Sequence, residues 1–265
     1  MHDHNATDQS KSHVDPLDPA RARALQATLG SEPSIQPGDP LPLFGHQIYF
    51  WDPLPDYALG QDGHPATGDF IPDLNLPRRM WAAGKLVFHR PLLAGIRAEK
   101  SSAIESVTRK DGRSGPLAFV RMRHDIKQRQ SIVLTEWQEL VYRPADAPNG
   151  TPPTARTDEI DATEVSFTTT QLFRYSALTF NGHRIHYDEA YARDVEGYDG
   201  LVVHGPLLAH LLMDLAQRKM GDLKTFTYRA TGPLMHHETA TLCWNEGAAW
   251  VRGPRGEQCM VAKAT

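Results

Sequence analysis

The chain has 265 residues, of which 40% are hydrophobic, and 28 Lys and Arg stand against 32 Asp and Glu for a formal net charge of -4. This length and composition predict a globular protein with a sizeable core, and the charge balance gives no reason to expect nucleic acid or an anionic membrane as a partner. Cys243 and Cys259 are too few for a disulfide framework or a thiolate zinc site, and they favour a reducing, cytoplasmic setting.

The N-terminal part of the chain is polar and then helical. Residues 1–17 contain Pro, Asp and His and lack the apolar core of a signal peptide, so we predict a disordered tail. The segment PARARALQATLG predicts a helix that ends at Gly30. Residues 35–77 are rich in proline and glycine, which favours short turns and ordered loops. No later run approaches the roughly 18 apolar residues of a membrane span, so no membrane partner is expected.

The first half then becomes strand-like. Apolar and polar residues alternate in KLVFHRPLLAGIRAEKSSAIESVTRK, LAFVRMRHDIKQ and SIVLTEWQELVYRP, with turn signals between them. This alternation predicts antiparallel strands. Residues 18–143 are therefore assigned to an N-terminal domain. Residues 144–163 are rich in Pro, Thr and acidic residues, and we predict that they form a linker.

The second half, residues 164–265, combines a long helix with strands. SFTTT and LFRYSALTF are strand-like, YDEAYAR predicts a short helix, and PLLAHLLMDLAQRKM carries leucines and methionines at helical spacing up to Gly221. Four further strands are predicted in LKTFTYRA, TATLCWNE, AAWVRG and QCMVAKA.

Each half thus ends in about four antiparallel strands, and the two strand blocks open alike, with KLVFHRPLLAG and TFTYRATGPLM. This order suggests duplication of one unit, in which a curled sheet wraps a helix that covers its apolar face. The first half has no counterpart of the long helix, so its repeat is either degraded or built from shorter turns.

A polar cluster, NGHRIH, occupies residues 181–186. It resembles the hydratase motif of the MaoC-like (R)-specific enoyl-thioester hydratases, small-Gly-Asp-x-Asn-Pro-aliphatic-His, with His186 at the motif's histidine. Asn181 stands in the place of the aspartate, while His183 and Arg184 replace Asn-Pro. FRYSALTFN-x-HRIHYD, LPRRMWAAG and KDGRSGPLAFV are similar to a double-hotdog branch of that superfamily, the one resembling mesaconyl-C4-CoA hydratase and type 2 3-hydroxyacyl-thioester dehydratase.

The resemblance extends over about residues 40–265. It implies an α+β double hotdog, that is, two antiparallel sheets each wrapping a helix and fused in one chain. It further implies a non-catalytic first hotdog and a catalytic second one.

The chemistry of the cluster suits hydration of an enoyl thioester. Such a reaction needs a base for water, an acid for the α-carbon and donors for the enolate oxygen. His186 can accept a proton from water near neutral pH. Asn181 cannot act as a base, but it can orient the water. Gly205 and Pro206 open the long helix, and the resemblance implies that the Gly205 N–H lies in the oxyanion hole.

Other residues are candidates for substrate binding, and each has a plainer alternative. His183 can instead fix the loop, and Arg184 can pair with Asp188 four residues on. Guanidinium groups bind CoA phosphates or a substrate carboxylate, but two such groups can also form structural salt bridges. The candidate substrate-binding residues are His183, Arg184, His204, Tyr175, Arg78, Arg79 and Trp81.

No metal and no cofactor are expected, because His183 and His186 with Asp188 fit none of the usual ligand spacings and CoA is part of the substrate. The expected function is reversible hydration of a short, dicarboxylic enoyl-CoA such as mesaconyl-C4-CoA or itaconyl-CoA, giving citramalyl-CoA. The alternatives are a 3-hydroxyacyl-ACP or longer-chain 3-hydroxyacyl-CoA dehydratase, and a non-catalytic acyl-thioester-binding protein. The acyl-CoA and a second copy of the chain, as a homodimer, are the expected partners.

Overall fold

The computed structural model describes residues 4–5, 10–112, 115–145 and 150–265. Two groups of elements follow one another along the chain. The first group consists of β1 (His4–Asn5), β2 (Ser10–Asp15), α1 (Pro19–Thr28), β3 (Arg78–Phe88), β4 (Ala98–Gly112), β5 (Gly115–Gln128) and β6 (Ser131–Arg143). The second group consists of β7 (Asp161–Val165), α2 (Thr169–Thr179), α3 (Glu189–Asp194), α4 (Gly205–Met220), β8 (Thr225–Ala230), β9 (Ala240–Asn245), β10 (Ala248–Arg252) and β11 (Gln258–Ala264).

The described strands form one continuous antiparallel sheet. Its order is β1-β4-β5-β6-β3-β8-β11-β10-β9-β7, and β2 also pairs with β4. The two halves join where β3 pairs with β8, from Ala83 opposite Arg229 to Val87 opposite Thr225. The predicted blocks of four strands are therefore confirmed as β3–β6 and β8–β11, and they meet edge to edge within the chain.

Helix α4 covers the concave face of the second block. It packs against β8, β9, β10 and β11, and most of its leucines are buried. Each fully buried Leu or Met side chain contributes about 1.5–3 kcal/mol relative to exposure. The helix ends at Gly221, whose φ of 78° suits a residue without a Cβ atom. The long buried helix predicted from the leucine spacing is confirmed.

No equivalent of α4 covers the first block among the described residues. Helix α1 packs mainly against α2 and a 3-10 turn at Gly45–Ile48 rather than against the strands. The surrounding segment supplies buried side chains instead, among them Phe44, Ile48 and Phe50. The expectation of shorter turns is confirmed, and these turns leave open space beside the sheet.

The predicted disordered tail is wrong for Ser10–Asp15, which pairs with Ala98–Ala103 of β4. Two buried side chains fix this segment. Leu17 is fully buried, and the Asp15 carboxylate accepts hydrogen bonds from the N–H groups of Leu17 and Phe50. Apart from residues 4–5, the earlier part of the tail lies outside the described residues.

Two further boundaries differ from the predictions. LFRYSALTF is not a strand but lies within α2, because the Thr168 hydroxyl caps the helix and residues Leu172, Tyr175 and Ser176 are buried at helical spacing. The strand-like SFTTT, residues 166–170, is not a strand either, because its first three residues connect β7 to α2 and its last two begin α2. Strand β7 begins inside the predicted linker, while residues 146–149 of that linker lie outside the described residues. Within the described residues, no helix has the length and apolarity to span a membrane.

Candidate active site

The turn after α2 presents the NGHRIH cluster. Helix α2 ends at Thr179, and the next residue, Phe180, caps it with a left-handed φ of 53°. The Asn181 side-chain oxygen then accepts the N–H of His183 at 3.0 Å, and a 3-10 turn follows at Arg184–His186. The cluster therefore follows a helix rather than the predicted strand.

His186 has the geometry of a base. Its Nδ1–H donates to the carbonyl oxygen of Val202 at 2.7 Å, which leaves Nε2 as the nitrogen that accepts a proton. The ring is buried, and burial lowers the pKa of His186 from 6.5 to about 4. The imidazole is therefore neutral around pH 7, the state in which Nε2 accepts a proton from water.

His204 and Tyr175 pack next to the His186 ring on the side away from the cleft. The His204 ring stacks on His186 with centroids 3.7 Å apart, and its Nε2 is hydrogen-bonded to the Ser176 hydroxyl at 2.8 Å. Tyr175 packs against His204 and is buried. Neither His204 nor Tyr175 lines the cleft, so the prediction that they contact the substrate is wrong. They pack next to His186 instead.

The N-terminus of α4 lies at the same cleft. Gly205 is its first residue and Pro206 its second. The N–H groups in the first turn of a helix have no partner within the helix and form an anion-binding end. Trp81 of β3 lies opposite, because a Cβ atom on Gly205 would contact the Trp81 ring at 3.7 Å. Trp81 is thus brought to the cleft, as predicted.

A loop of the first half docks on this site. The N–H of Arg184 donates to the carbonyl oxygen of Asp62 at 2.9 Å, and Gly63 and Gly182 are so close that a Cβ atom on either would collide with the carbonyl oxygen of the other. Gly63 also has a φ of 87°. Glycine is therefore required at both positions for the two loops to meet.

The docked loop adds two side chains that the sequence reasoning missed. The Nδ1–H of His64 donates to the Asp62 carboxylate at 2.8 Å, and the His64 ring lies 4.3 Å from the ring of His183. His183 in turn lies 5.3 Å from His186, between centroids. The spacing of Asp62 and His64 around a glycine in the segment QDGHP is the local signal that was available.

Electrostatics keep this group of imidazoles neutral. Burial and then the charge of Arg79 lower the pKa of His64, and burial together with the neighbouring rings lowers the pKa of His183. Burial alone would raise the pKa of Asp62, but its hydrogen bond from His64 outweighs this and lowers it to about 2. Asp62 is therefore a carboxylate that orients a neutral His64.

The three candidate arginines have different surroundings. Arg184 pairs with Asp188 at 2.7 Å, as its plainer interpretation predicted, and Arg78 pairs with Glu196 at 2.9 Å. Arg79 makes no hydrogen bond or ion pair with any residue in the described part of the chain, and it lines the cleft. Asp188, the third residue of the metal alternative, is the carboxylate that Arg184 engages.

The cleft has a volume of about 880 Å³ and is lined by both halves of the chain. His186, Asn181 and Gly205 come from the second half, and Arg79 and Trp81 from β3. A polar wall, formed by Lys100, His124 and Glu136 on β4, β5 and β6, lines another part of it. This wall was not predicted from the sequence, because its members are far apart along the chain and meet only through the strand register.

Loop docking can be tested through stability. We expect Gly68→Ala to cost about 1–2 kcal/mol of unfolding free energy, because its φ is 113° but nothing lies within 4 Å of the added methyl group. Gly63→Ala should cost about 1–3 kcal/mol more, since it adds a collision with Gly182 to the same backbone strain. Urea denaturation measures both variants. Equal losses would contradict the tight contact between the two loops.

The buried histidines predict a loss of stability in acid. Burial lowers the pKa of His186 and His124 from 6.5 to about 4 in the folded protein. Below pH 6.5 the unfolded chain therefore binds protons that the folded chain does not, so stability is fully present above pH 6.5 and falls towards pH 4. Each residue contributes about 2 kcal/mol of this loss between pH 6.5 and 5. Urea denaturation at pH 7.5 and 5 measures it, and unchanged stability would contradict neutral buried rings.

Comparisons with known proteins agree with this architecture. The family model for hydroxyacyl-thioester dehydratase type 2 matches residues 44–236. Mesaconyl-C(4)-CoA hydratase of Chloroflexus aurantiacus is 45% identical over 223 residues, which cover 81% of this chain and 79% of that protein. The crystal structure of HtdX from Mycobacterium tuberculosis is 18% identical and superposes with a TM-score of 0.69 over 97% of this chain and 99% of that one.

A second M. tuberculosis structure, described as a double hotdog fold, is 14% identical and has a TM-score of 0.56 over 97% of this chain and 94% of that one. These two likenesses concern the fold alone. They confirm the predicted α+β double hotdog.

Proposed function

The chain belongs to the hydroxyacyl-thioester dehydratase type 2 family and is a hydro-lyase of thioester substrates, and from that premise we propose that it reversibly hydrates a short, dicarboxylic enoyl-CoA. Mesaconyl-C4-CoA is the proposed substrate, with itaconyl-CoA as a related one, and citramalyl-CoA is the product. The observation that carries the proposal is that His186 and the first turn of α4 line one cleft with Arg79, which has no ion-pair partner among the described residues.

The proposed reaction begins at His186. Its neutral Nε2 accepts a proton from water as the water oxygen bonds to the β-carbon of the enoyl thioester. The Asn181 oxygen is engaged by the His183 N–H, so its amide NH₂ group is the part that donates to the water. Electron density moves onto the thioester oxygen, where the Gly205 N–H stabilises it. The loss of one such donor typically costs about 2.7–4 kcal/mol of transition-state stabilisation.

The chemistry of a dicarboxylic substrate places its free carboxylate close to the base. In mesaconyl-C4-CoA the β-carbon, which receives the water, also carries the carboxylate and a methyl group. A cation that recognises this carboxylate must therefore lie near His186. Arg79 is the candidate for this role, because it lines the same cleft as His186 and its charge lowers the pKa of the neighbouring His64 and His183.

The polar wall of Lys100, His124 and Glu136 supports a short substrate over the longer-chain alternative. A long acyl chain directed towards this wall would bury methylene groups against charged and polar side chains, which is unfavourable.

We further propose that the reaction uses no metal or cofactor beyond the CoA of the substrate itself. Cytoplasmic localisation is proposed from the two buried free cysteines, which suit a reducing compartment. The homodimer stays a prediction.

The proposal is tested by the loss of enoyl-thioester absorbance in the presence of mesaconyl-C4-CoA, crotonyl-CoA and a long-chain enoyl-CoA. We expect mesaconyl-C4-CoA to be hydrated fastest. Faster turnover of crotonyl-CoA would contradict a dicarboxylic substrate, and faster turnover of the long-chain ester would favour the longer-chain dehydratase. Binding of all three esters without conversion would favour the non-catalytic alternative.

A further inference from the structure

Hydration requires two proton transfers at two different atoms. One proton leaves the attacking water, and one is added to the α-carbon of the enolate. His186 can perform the first transfer. Asn181, which stands where the related motif has an aspartate, has no titratable proton for the second. Two further imidazoles line the cleft, His183 of the second half and His64 of the first. Among the described residues, a carboxylate is hydrogen-bonded to the ring of His64 but not to that of His183, so the first half offers the oriented group for this role.

Asp62 and His64 have the geometry of an oriented acid–base pair. Asp62 holds Nδ1 of His64 at 2.8 Å, so Nε2 is the nitrogen left for proton transfer, and among the described residues Nε2 has no partner. The His64 side chain is 18% exposed, and it lines the same cleft as His186. A carboxylate that fixes the tautomer and orientation of an imidazole is a general arrangement for acid–base catalysis.

The position of this pair is fixed by the docked loop rather than by a flexible contact. Gly63, between the two residues, packs against Gly182, and Arg184 donates to the carbonyl oxygens of both Asp62 and Gln61. The His64 ring therefore packs against the His183 ring, which in turn contacts the His186 ring.

We propose that His64, oriented by Asp62, is the catalytic residue that transfers the proton at the α-carbon, so that the first half of the chain completes the active site. This inference rests on the proposed hydratase function but not on the dicarboxylic nature of the substrate.

The proposed sequence of transfers balances. In hydration, His186 Nε2 takes a proton from water while the oxygen bonds to the β-carbon and the π electrons move to the thioester oxygen. The proton then passes through water in the cleft from His186 to His64 Nε2. His64 delivers it to the α-carbon as the enolate collapses, so one water is added and both imidazoles end neutral. The lowered pKa values of His186 and His64 agree with neutral resting rings.

Asp62, His64 and His183 also bring potential metal-ligand atoms within 4.8 Å of one another. The Arg79 guanidinium acts on His64 and His183 and is not paired with a carboxylate in the described part of the chain. A positive charge that acts on these rings also repels a divalent cation bound by them, which favours proton transfer over metal binding as the role of this group.

The roles of His64 and His186 can be distinguished by measuring hydrogen exchange at the α-carbon. The 3-hydroxyacyl-CoA, either citramalyl-CoA or 3-hydroxybutyryl-CoA, is incubated in D₂O with wild type, His64→Gln, Asp62→Asn and His186→Gln, and mass spectrometry follows deuterium at the α-carbon alongside dehydration. His89→Gln serves as the control, because this exposed histidine is hydrogen-bonded to Thr135 outside the cleft. Urea denaturation of each variant checks that it folds.

We expect His64→Gln to lower both exchange and dehydration by about 10²-fold or more. His186→Gln should lose dehydration but keep exchange, since His64 still removes the α-proton. Asp62→Asn, a change at a positioning residue, should lower exchange less than His64→Gln does, and His89→Gln should behave as wild type. If the folded His64→Gln variant exchanges the α-hydrogen at the wild-type rate, the role of His64 is wrong, but the proposed hydratase function is unaffected. A wild type that neither exchanges nor dehydrates either ester would overturn the proposed function together with it.

Discussion

His186→Gln is expected to lower the rate of hydration by about 10²–10⁴-fold, the range that removal of a general base commonly costs. The geometry gives the reason. Val202 holds Nδ1 of His186, so Nε2 is left to accept the proton of water, and the buried ring is neutral at pH 7. Gln fills similar space but cannot accept that proton. The initial rate of absorbance loss from the conjugated thioester measures the effect.

A second buried histidine supplies the control for this substitution. His210 is as buried as His186 and lies on α4, but it does not line the cleft. We expect His210→Gln to affect the free energy of unfolding and to leave the hydration rate within a few-fold of wild type. If His186→Gln retained wild-type activity while folded, the assignment of the base would be wrong.

Arg79→Gln is expected to lower kcat/KM for mesaconyl-C4-CoA by about 10–100-fold, because a charge-assisted hydrogen bond to a carboxylate typically contributes about 1.5–3 kcal/mol. Crotonyl-CoA has no carboxylate at the β-carbon, so its kcat/KM should change little or rise. The prediction depends on Arg79 having no partner among the described residues, which leaves its guanidinium available to a ligand.

Two comparisons make the Arg79 experiment specific. Arg79→Lys keeps the charge but loses the planar fork of donors, so it should fall between wild type and Arg79→Gln. Arg174→Gln on the exposed face of α2 removes a cation outside the cleft and should leave both substrates unaffected. An equal loss of kcat/KM for both thioesters in Arg79→Gln would show that Arg79 binds CoA or supports the fold rather than the acyl carboxylate.

Much of the scaffold could be predicted because its signals are local. The leucine spacing of α4, its opening at Gly205 and Pro206 and its end at Gly221 all lie within one segment. The strands were equally local, since their alternation reports which face is buried. Helix α2 was misread because its aromatic and small residues, in LFRYSALTF, are compatible with a strand. The burial of Leu172, Tyr175 and Ser176 has helical spacing, but this burial is visible only in the folded protein and not in the sequence.

The parts of the site that were missed depend on contacts distant in the sequence. Arg184 bonds to Gln61 across a separation of 123 residues, and no pattern in either segment specifies that contact. Arg78 and Arg79 illustrate a related limit. Both were candidates for substrate binding, and the sequence does not indicate which guanidinium group another residue engages. In the structure both residues line the cleft, but Arg78 is paired with Glu196, whereas no residue in the described part of the chain pairs with Arg79.

The docked loop also changes the interpretation of the first half. Residues 18–143 were predicted to form a non-catalytic hotdog, yet Arg79, Trp81 and His64 all line the cleft that contains His186. Fusion of two hotdogs in one chain allows each half to diverge separately. On the present proposal, the second half supplies the base and the oxyanion donor, and the first half supplies substrate recognition and the α-carbon acid.

The most direct test of the central claim is incubation of the protein with mesaconyl-C4-CoA in ¹⁸O-labelled water, followed by mass spectrometry of the thioester. The account predicts a citramalyl-CoA that carries one labelled oxygen at the β-carbon, formed by wild type and not by His186→Gln. Recovery of unchanged mesaconyl-C4-CoA from a folded wild-type protein that binds it would contradict the account.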